Sequence, residues 1–143
     1  MTSETYNISA LSDLRCFAVK LAQQLHGTTW VYLNGDLGCG KTTFAQQFIA
    51  AKGYTGRVTS PTYAIMQDYN TPTGVVIHCD LYRLSDAEEL YEIGLIELAE
   101  ASCAVVLIEW ASKGRGILPP ADWQLDFTLK GNTRNISVSQ GIV

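Results

Sequence analysis

Residues 28–52 read TTWVYLNGDLGCGKTTFAQQFIAAK, and this stretch decides the fold. Its first seven residues are rich in β-branched and aromatic side chains and predict a strand. The apolar residues of KTTFAQQFIAAK fall on one helical face, and Gly53 supplies the expected stop. A strand, a glycine-rich loop and a helix in this order are the context in which a phosphate-binding loop is built.

The loop itself matches the P-loop pattern, Gly35-x-x-x-x-Gly40-Lys41-Thr42. In this pattern backbone N–H groups surround phosphate oxygens, the lysine reaches the β- and γ-phosphates, and the hydroxyl binds Mg²⁺. The alternative is an ordinary glycine-rich turn with a surface lysine, and the strand and helix on either side favour the P-loop. The predicted nucleotide-binding residues are Gly35, Asp36, Leu37, Gly38, Cys39, Gly40, Lys41, Thr42 and Thr43.

Two short apolar strands each end in an acid that is suited to hold magnesium. VVIHCD ends in Asp80 and AVVLIE ends in Glu109. Either acid alone is compatible with a strand cap or a surface charge, but two together favour a site. We take Glu109 as the closer Walker B candidate, since AVVLI is the cleaner buried strand, and place Asp80 on metal-bound water or in a switch segment. The predicted catalytic residues are Lys41, Asp80 and Glu109, and the predicted metal ligands are Thr42, Glu109 and Asp80. We interpret His78 as a strand residue rather than a general base.

The segment VTSPTY carries three hydroxyls around a proline, enough to sense a γ-phosphate, although it also fits a simple turn. Arg83 is a candidate partner for phosphate or the nearby acids, and Trp110 fits packing better than stacking. The residues to which we give a switch or partner-coupling role are Thr59, Ser60, Pro61, Thr62, Arg83 and Trp110.

The four cysteines have no C-x-x-C spacing, which favours reduced thiols in a cytoplasmic protein. Cys39 lies in the loop, where a helix dipole would lower the pKa of its thiol. The favoured alternative is that Cys39 is a small residue that fits.

The rest of the chain predicts further elements of one domain, residues 1–143. A helix is expected over 9–25 with Ser9 or Ser12 as N-cap, and a hairpin over 63–80 with its turn at NTPTG. Residues 85–101 predict a helical region broken at Gly94, and WQLDFTL, KGNT and RNISVS predict a second hairpin. The expected fold is an α/β, P-loop NTPase-like three-layer sandwich with a mixed, partly antiparallel central sheet.

The composition restricts the function classes. The net charge of −4 argues against broad, charge-driven nucleic-acid binding, so nucleic acid is expected only through a partner. The N-terminus does not read as a secretory signal, and no apolar run approaches the roughly 20 residues that span a bilayer. We therefore expect no membrane association and a cytoplasmic protein.

The motifs GDLGCGKTT, SPTY, HCDLYRL and IEW, in this order, resemble those of the TsaE (YjeE) family, small bacterial ATPases of threonylcarbamoyladenosine tRNA modification. The resemblance extends from the first helix to Trp110. It implies ATP and magnesium at residues 35–43, functional roles for Asp80, Glu109 and Trp110, and a switch role for Ser60, Pro61 and Thr62. Cys39 replaces the more usual alanine of the family loop.

The resemblance also implies partners. The chain would not make the modification at position 37 of tRNA itself; it would bind the TsaD and TsaB proteins and support their turnover by hydrolysing ATP, with tRNA reached only through that complex. The absence of an N-K-x-D signature favours ATP over GTP. Only five arginines occur, few for an autonomous kinase, so we predict slow hydrolysis that partners raise. The alternatives are a small-molecule or nucleotide kinase, and a scaffold that binds ATP without hydrolysing it.

Overall fold

A seven-stranded sheet with helices on both faces organises the chain in a computed structural model that describes residues 3–36, 38–59 and 65–140. The strands are β1 (Ser3–Asn7), β2 (Thr29–Asn34), β3 (Met66–Thr71), β4 (Gly74–Asp80), β5 (Val105–Glu109), β6 (Trp123–Lys130) and β7 (Thr133–Gln140). The helices are α1 (Leu11–Gln24), α2 (Lys41–Ala51), α3 (Glu89–Glu92) and α4 (Leu95–Ser102), and a short 3-10 helix covers Ala111–Gly114.

The strand order is β1-β7-β6-β2-β5-β4-β3. Strand β2 runs parallel to both β5 and β6, and β4 runs parallel to β5. The pairs β1–β7, β3–β4 and β6–β7 are antiparallel. The predicted α/β sandwich with a mixed sheet is therefore confirmed. The parallel strands β2, β4 and β5 end at one edge of the sheet, where α/β proteins bind their ligands.

Each face of the sheet carries its own hydrophobic cluster. Helices α1 and α2 cover one face, and their buried aromatic residues Phe17, Phe44 and Phe48 pack in the same cluster as Leu33 of β2 and Leu107 of β5. Helices α3 and α4 cover the other face. Because both faces are covered, every residue of β5 is buried, which explains its continuous apolar pattern. Each fully buried Phe or Leu contributes about 1.5–3 kcal/mol to this packing.

The start of α1 differs from the prediction. The N-cap is Ala10, which makes no side-chain cap hydrogen bond, so neither Ser9 nor Ser12 caps the helix. The Ser9 hydroxyl instead accepts a hydrogen bond of 2.9 Å from the backbone N–H of Arg134. This bond fastens the segment before α1 to β7. The strand ahead of it, β1, is absent from the sequence prediction.

The predicted breaks and turns agree with the structure. Gly94 adopts a left-handed conformation with φ of 70° and separates α3 from α4. The β3–β4 hairpin turns at Pro72 and Thr73, since Thr71 pairs with Gly74. The predicted start of this hairpin, residue 63, lies outside the described residues. Within the described segments, no helix has the length and apolar character needed to cross a lipid bilayer.

Candidate functional site

The P-loop follows β2 and needs glycine for two separate reasons. Gly38 and Gly40 have φ of 79° and 109°, conformations that other residues rarely adopt. Gly35 has φ of 144°, and a Cβ atom there would lie 2.7 Å from the backbone oxygen of Phe127 on β6. The loop is thus packed directly on the neighbouring strand. Leu37, which the sequence also assigned to the loop, lies outside the described residues.

Helix α2 begins at the end of this loop. Its N-cap is Gly40, which has no side chain and so leaves the first backbone N–H groups of the helix uncapped. These groups and the helix dipole together form a ready anion site. Lys41, Thr42 and Thr43 make up the first turn of the helix, at the edge of the sheet where β4 and β5 also end.

Lys41 is buried, with 4% of its surface exposed. Its Nζ donates a hydrogen bond of 2.5 Å to the carbonyl oxygen of Gly35 and lies 4.2 Å from the centre of the Trp110 ring. Trp110 directly follows β5 and has φ of 60°, an uncommon value for a large side chain. A cavity of about 240 Å³ is lined by all three of these residues. Trp110 therefore packs against the P-loop lysine.

Tyr82 is a contact that the sequence analysis missed. Its ring centre lies 5.1 Å from that of Trp110, and the ring is tilted against the indole. Tyr82 is half-exposed, so the aromatic pair of Trp110 and Tyr82 connects Lys41 with the protein surface. Tyr82 belongs to the motif HCDLYRL, but nothing in the spacing of the sequence indicates that it contacts Trp110.

Glu109 ends β5 and meets the first turn of α2. The Thr42 hydroxyl lies 3.2 Å from Oε1 and 3.1 Å from Oε2 of Glu109, and donates to this carboxylate. Glu109 is 3% exposed. The structure thus brings together Thr42 of the P-loop and Glu109, the predicted Walker B acid.

A second donor reaches Glu109 from β4. His78 is fully buried, and its Nε2 lies 2.7 Å from Oε2 of Glu109. The sequence analysis missed this pair, because it depends on how β4 and β5 align. The available signal was that His78 and Asp80 are two residues apart on one strand and so share a face.

Asp80 ends β4 beside Glu109, because the two residues pair in register across the parallel strands. Its Oδ1 accepts a hydrogen bond of 3.0 Å from the backbone N–H of Tyr82, which fixes the turn after β4. The backbone N–H of Leu81 also donates to the carbonyl oxygen of Glu109, at 3.0 Å. The two predicted acids therefore end neighbouring strands that a backbone bond holds together.

Cys39 is buried inside the loop, with 4% exposure. Burial raises the pKa of its thiol, and this effect exceeds the lowering by the positive charge of Lys41. The lowered pKa considered for Cys39 is therefore wrong, because the dipole argument left out desolvation. Its Sγ occupies space beside Gly35, where an added Cβ would come within 2.8 Å, as expected for a residue that fills the loop.

The remaining predicted site residues are either exposed or lie outside the described residues. Thr59 is exposed, and its carbonyl oxygen accepts a hydrogen bond of 3.3 Å from the Tyr69 hydroxyl. Asp36 is exposed in the loop, and Arg83 is exposed in the turn after β4. Ser60, Pro61 and Thr62 lie outside the described residues, so the switch segment remains a prediction.

The residues at this edge fit a magnesium ion by their chemistry. Mg²⁺ takes oxygen ligands, and it is usually held by one or two carboxylates together with water and phosphate oxygens rather than by a complete protein cage. A hydroxyl and two neighbouring carboxylates, from Thr42, Glu109 and Asp80, supply such donors. Among the described residues no group of three or more His, Cys, Asp or Glu forms a cage of its own.

The fold and this edge define a P-loop-type α/β protein. Comparison with known proteins makes the assignment more specific. The sequence profile described as "Threonylcarbamoyl adenosine biosynthesis protein TsaE" matches residues 8–136. The chain belongs to the TsaE family, which takes part in the biosynthesis of threonylcarbamoyladenosine in tRNA.

Individual relatives agree with this assignment. The chain is 44% identical over 108 residues to the tRNA threonylcarbamoyladenosine biosynthesis protein TsaE of Haemophilus influenzae, covering 76% of this chain and 68% of that protein. It is 33% identical over 134 residues to TsaE of Rickettsia typhi, covering 92% and 90%. The crystal structure of YdiB from Bacillus subtilis aligns with a TM-score of 0.77 and 25% identity, over 97% of this chain and 86% of that one.

Proposed function

We propose that this chain is a magnesium-dependent ATPase that supports the threonylcarbamoyladenosine modification of tRNA by binding the TsaD and TsaB proteins. The observation that carries the proposal is the contact between the Thr42 hydroxyl and the buried Glu109 carboxylate, 3.1 Å apart at the start of α2. P-loop NTPases use a hydroxyl and a strand-end acid in this relation to hold magnesium. Family membership supports the role in tRNA modification.

The chain's own residues have separate tasks in this proposal. The uncapped N–H groups at the start of α2 bind the phosphate oxygens of ATP. Lys41 exchanges its hydrogen bond with the Gly35 carbonyl for bonds to the β- and γ-phosphates, which are stronger acceptors because they are charged. Thr42 and Glu109 would hold the magnesium ion directly or through water, and Asp80 would bind its water.

Bound magnesium would offset charge on the β- and γ-phosphate oxygens during phosphoryl transfer. Lys41 is buried and the Trp110 ring packs over its Nζ, which limits the access of bulk water to the lysine. Electrostatic interactions are stronger where water is excluded, so this packing increases the effect of the lysine charge on phosphate.

The arginine content of the chain supports a dependence on partners. The sequence has few arginines, and stabilising a transferred phosphoryl group commonly uses one. We therefore propose slow hydrolysis by the isolated chain and faster hydrolysis in the complex with TsaD and TsaB. In this proposal tRNA is reached through those partners, as the net charge of −4 suggests.

The test measures phosphate release from ATP by the purified chain, alone and with TsaD and TsaB. We expect the partners to raise the rate, and Lys41→Ala and Glu109→Gln each to lower it by about 100-fold or more, the scale seen when one preorganised charge contact is removed. Lys20→Ala is the matched control, since Lys20 is exposed on α1 and lies near Trp123, the first residue of β6, away from the strand ends that adjoin the P-loop.

Three outcomes would contradict the proposal. A phosphorylated acceptor without free phosphate would favour a kinase, and tight ATP binding without hydrolysis under any condition would favour a scaffold. Equal rates for the wild type and Lys41→Ala would show that the P-loop does not act on ATP. A competition titration with GTP checks the preference for ATP.

A further inference from the structure

His78 is a buried polar residue to which the mechanism above gives no task. Its side chain is completely buried, and the side chain of its partner, Glu109, is 4% exposed. Nε2 lies 2.7 Å from Oε2 of Glu109, while Nδ1 has no hydrogen-bond partner among the described residues. A buried polar atom without a partner destabilises a fold, so its presence at this position calls for a functional explanation.

The direction of the bond follows from the role proposed for Glu109. A carboxylate that holds magnesium is ionised and only accepts hydrogen bonds, so the proposed function requires the Nε2 of His78 to carry the hydrogen and donate it. The Thr42 hydroxyl, at the start of helix α2 above the sheet, donates to the same carboxylate at 3.1 Å. Glu109 is therefore held between a donor from β4 and a donor from α2, which fixes the rotation of its carboxylate group.

The sheet register makes this arrangement rigid. His78 pairs with Leu107 on β5, so its imidazole reaches diagonally to Glu109, two residues further along that strand. Asp80 lies two residues after His78 on the same face of β4 and pairs with Glu109 directly. A single strand thus carries both the donor to Glu109 and the neighbouring acid.

We propose that His78 is a positioning residue that holds the Glu109 carboxylate, through its Nε2–H, in the orientation that takes up magnesium. This inference rests on the proposed function of the site. Groups that hydrogen-bond a metal ligand orient that ligand, and their loss lowers metal affinity or activity by about 10- to 100-fold. His78 itself touches neither nucleotide nor metal in this proposal.

The first test needs neither ATP nor magnesium. Long-range ¹H–¹⁵N spectra of the nucleotide-free protein, with His78 assigned through a His78→Gln sample, report which ring nitrogen carries hydrogen. We expect hydrogen on Nε2. Hydrogen on Nδ1 alone would overturn the inference, because Glu109 would then have to be the protonated donor in this pair.

The second test measures ATP binding as a function of magnesium concentration. His78→Leu removes the donor, and we expect it to raise the half-saturating magnesium concentration by about 10- to 100-fold. His78→Gln places an amide donor near the position of Nε2 and is expected to restore most of the affinity. Ile77→Val, on the opposite face of β4, is the packing control and should match the wild type.

The outcomes separate this inference from the proposed function. If the wild type shows no magnesium-dependent ATP binding, the proposed function fails. If the wild type binds and His78→Leu has the same magnesium dependence, only the positioning role fails. Should His78→Leu not fold, His78→Asn takes its place, since it keeps an amide but is too short to place a donor at the Nε2 position; an unchanged magnesium dependence would again overturn the inference.

Discussion

Replacing Gly35 with alanine should destabilise the whole fold, because Gly35 is where the P-loop meets β6. Alanine at φ of 144° costs about 1–3 kcal/mol in backbone strain. The new Cβ would lie 2.7 Å from the backbone oxygen of Phe127, and such overpacking costs about another 1–3 kcal/mol. At about 3 °C per kcal/mol for a chain of this size, the melting temperature should fall by about 6–18 °C.

The matched control is Gly38→Ala in the same loop. Gly38 has φ of 79°, and an added Cβ would meet no described atom within 4 Å beyond its chain neighbours. Only the left-handed conformation is penalised there, about 1–2 kcal/mol, so the melting temperature should fall by about 3–6 °C. Thermal melts followed by circular dichroism compare the variants without nucleotide. Equal melting temperatures for Gly35→Ala and Gly38→Ala would refute the close-approach reasoning.

Two further predictions concern titratable groups. Burial, with a smaller effect from Asp122, raises the pKa of Tyr32 to about 12, above its ordinary value of 10.0. The resulting stability is fully present below pH 10 and is lost between pH 10 and 12, so Tyr32→Phe should flatten the loss of stability over that range in urea titrations; an unchanged slope would contradict the shift. Cys39 is buried and its thiol pKa is raised, whereas Cys16 and Cys103 are exposed. Iodoacetamide should therefore modify Cys39 after Cys16 and Cys103, and peptide mass spectrometry showing Cys39 modified before either of them would contradict this prediction.

The sequence predicted most of the sheet because its inner strands bury side chains on both faces. β2, β4 and β5 are each rich in β-branched, aromatic or other apolar residues, and the hairpins are marked by turn residues such as Pro72 and Gly131. β1, with the sequence SETYN, has no such pattern. It is an edge strand whose residues 4–6 are exposed, and its conformation is set by pairing with β7 rather than by its own side chains.

The site was predictable only as far as its residues belong to local motifs. The P-loop fixes Lys41 and Thr42 by spacing along the chain, and each acid ends a recognisable strand. The contacts that complete the site join distant residues, as in the His78–Glu109 bond and the position of Trp110 over Lys41. These contacts depend on the strand register and on the left-handed backbone conformation of Trp110 after β5, and neither can be recognised from the neighbouring sequence.

The strand order also has a kinetic consequence for synthesis of the chain. β2 pairs with β5 and β6, which come much later in the chain, and β1 pairs with β7. Such non-local pairing requires long loops to close and makes folding slow. During translation at about 5–20 residues per second, the P-loop leaves the ribosome roughly 5–20 s before β6. Through most of that interval a nascent chain has its phosphate loop but not yet the whole of β5 with Glu109, so nucleotide cannot template the fold early, and the site matures only as the last strands close the sheet.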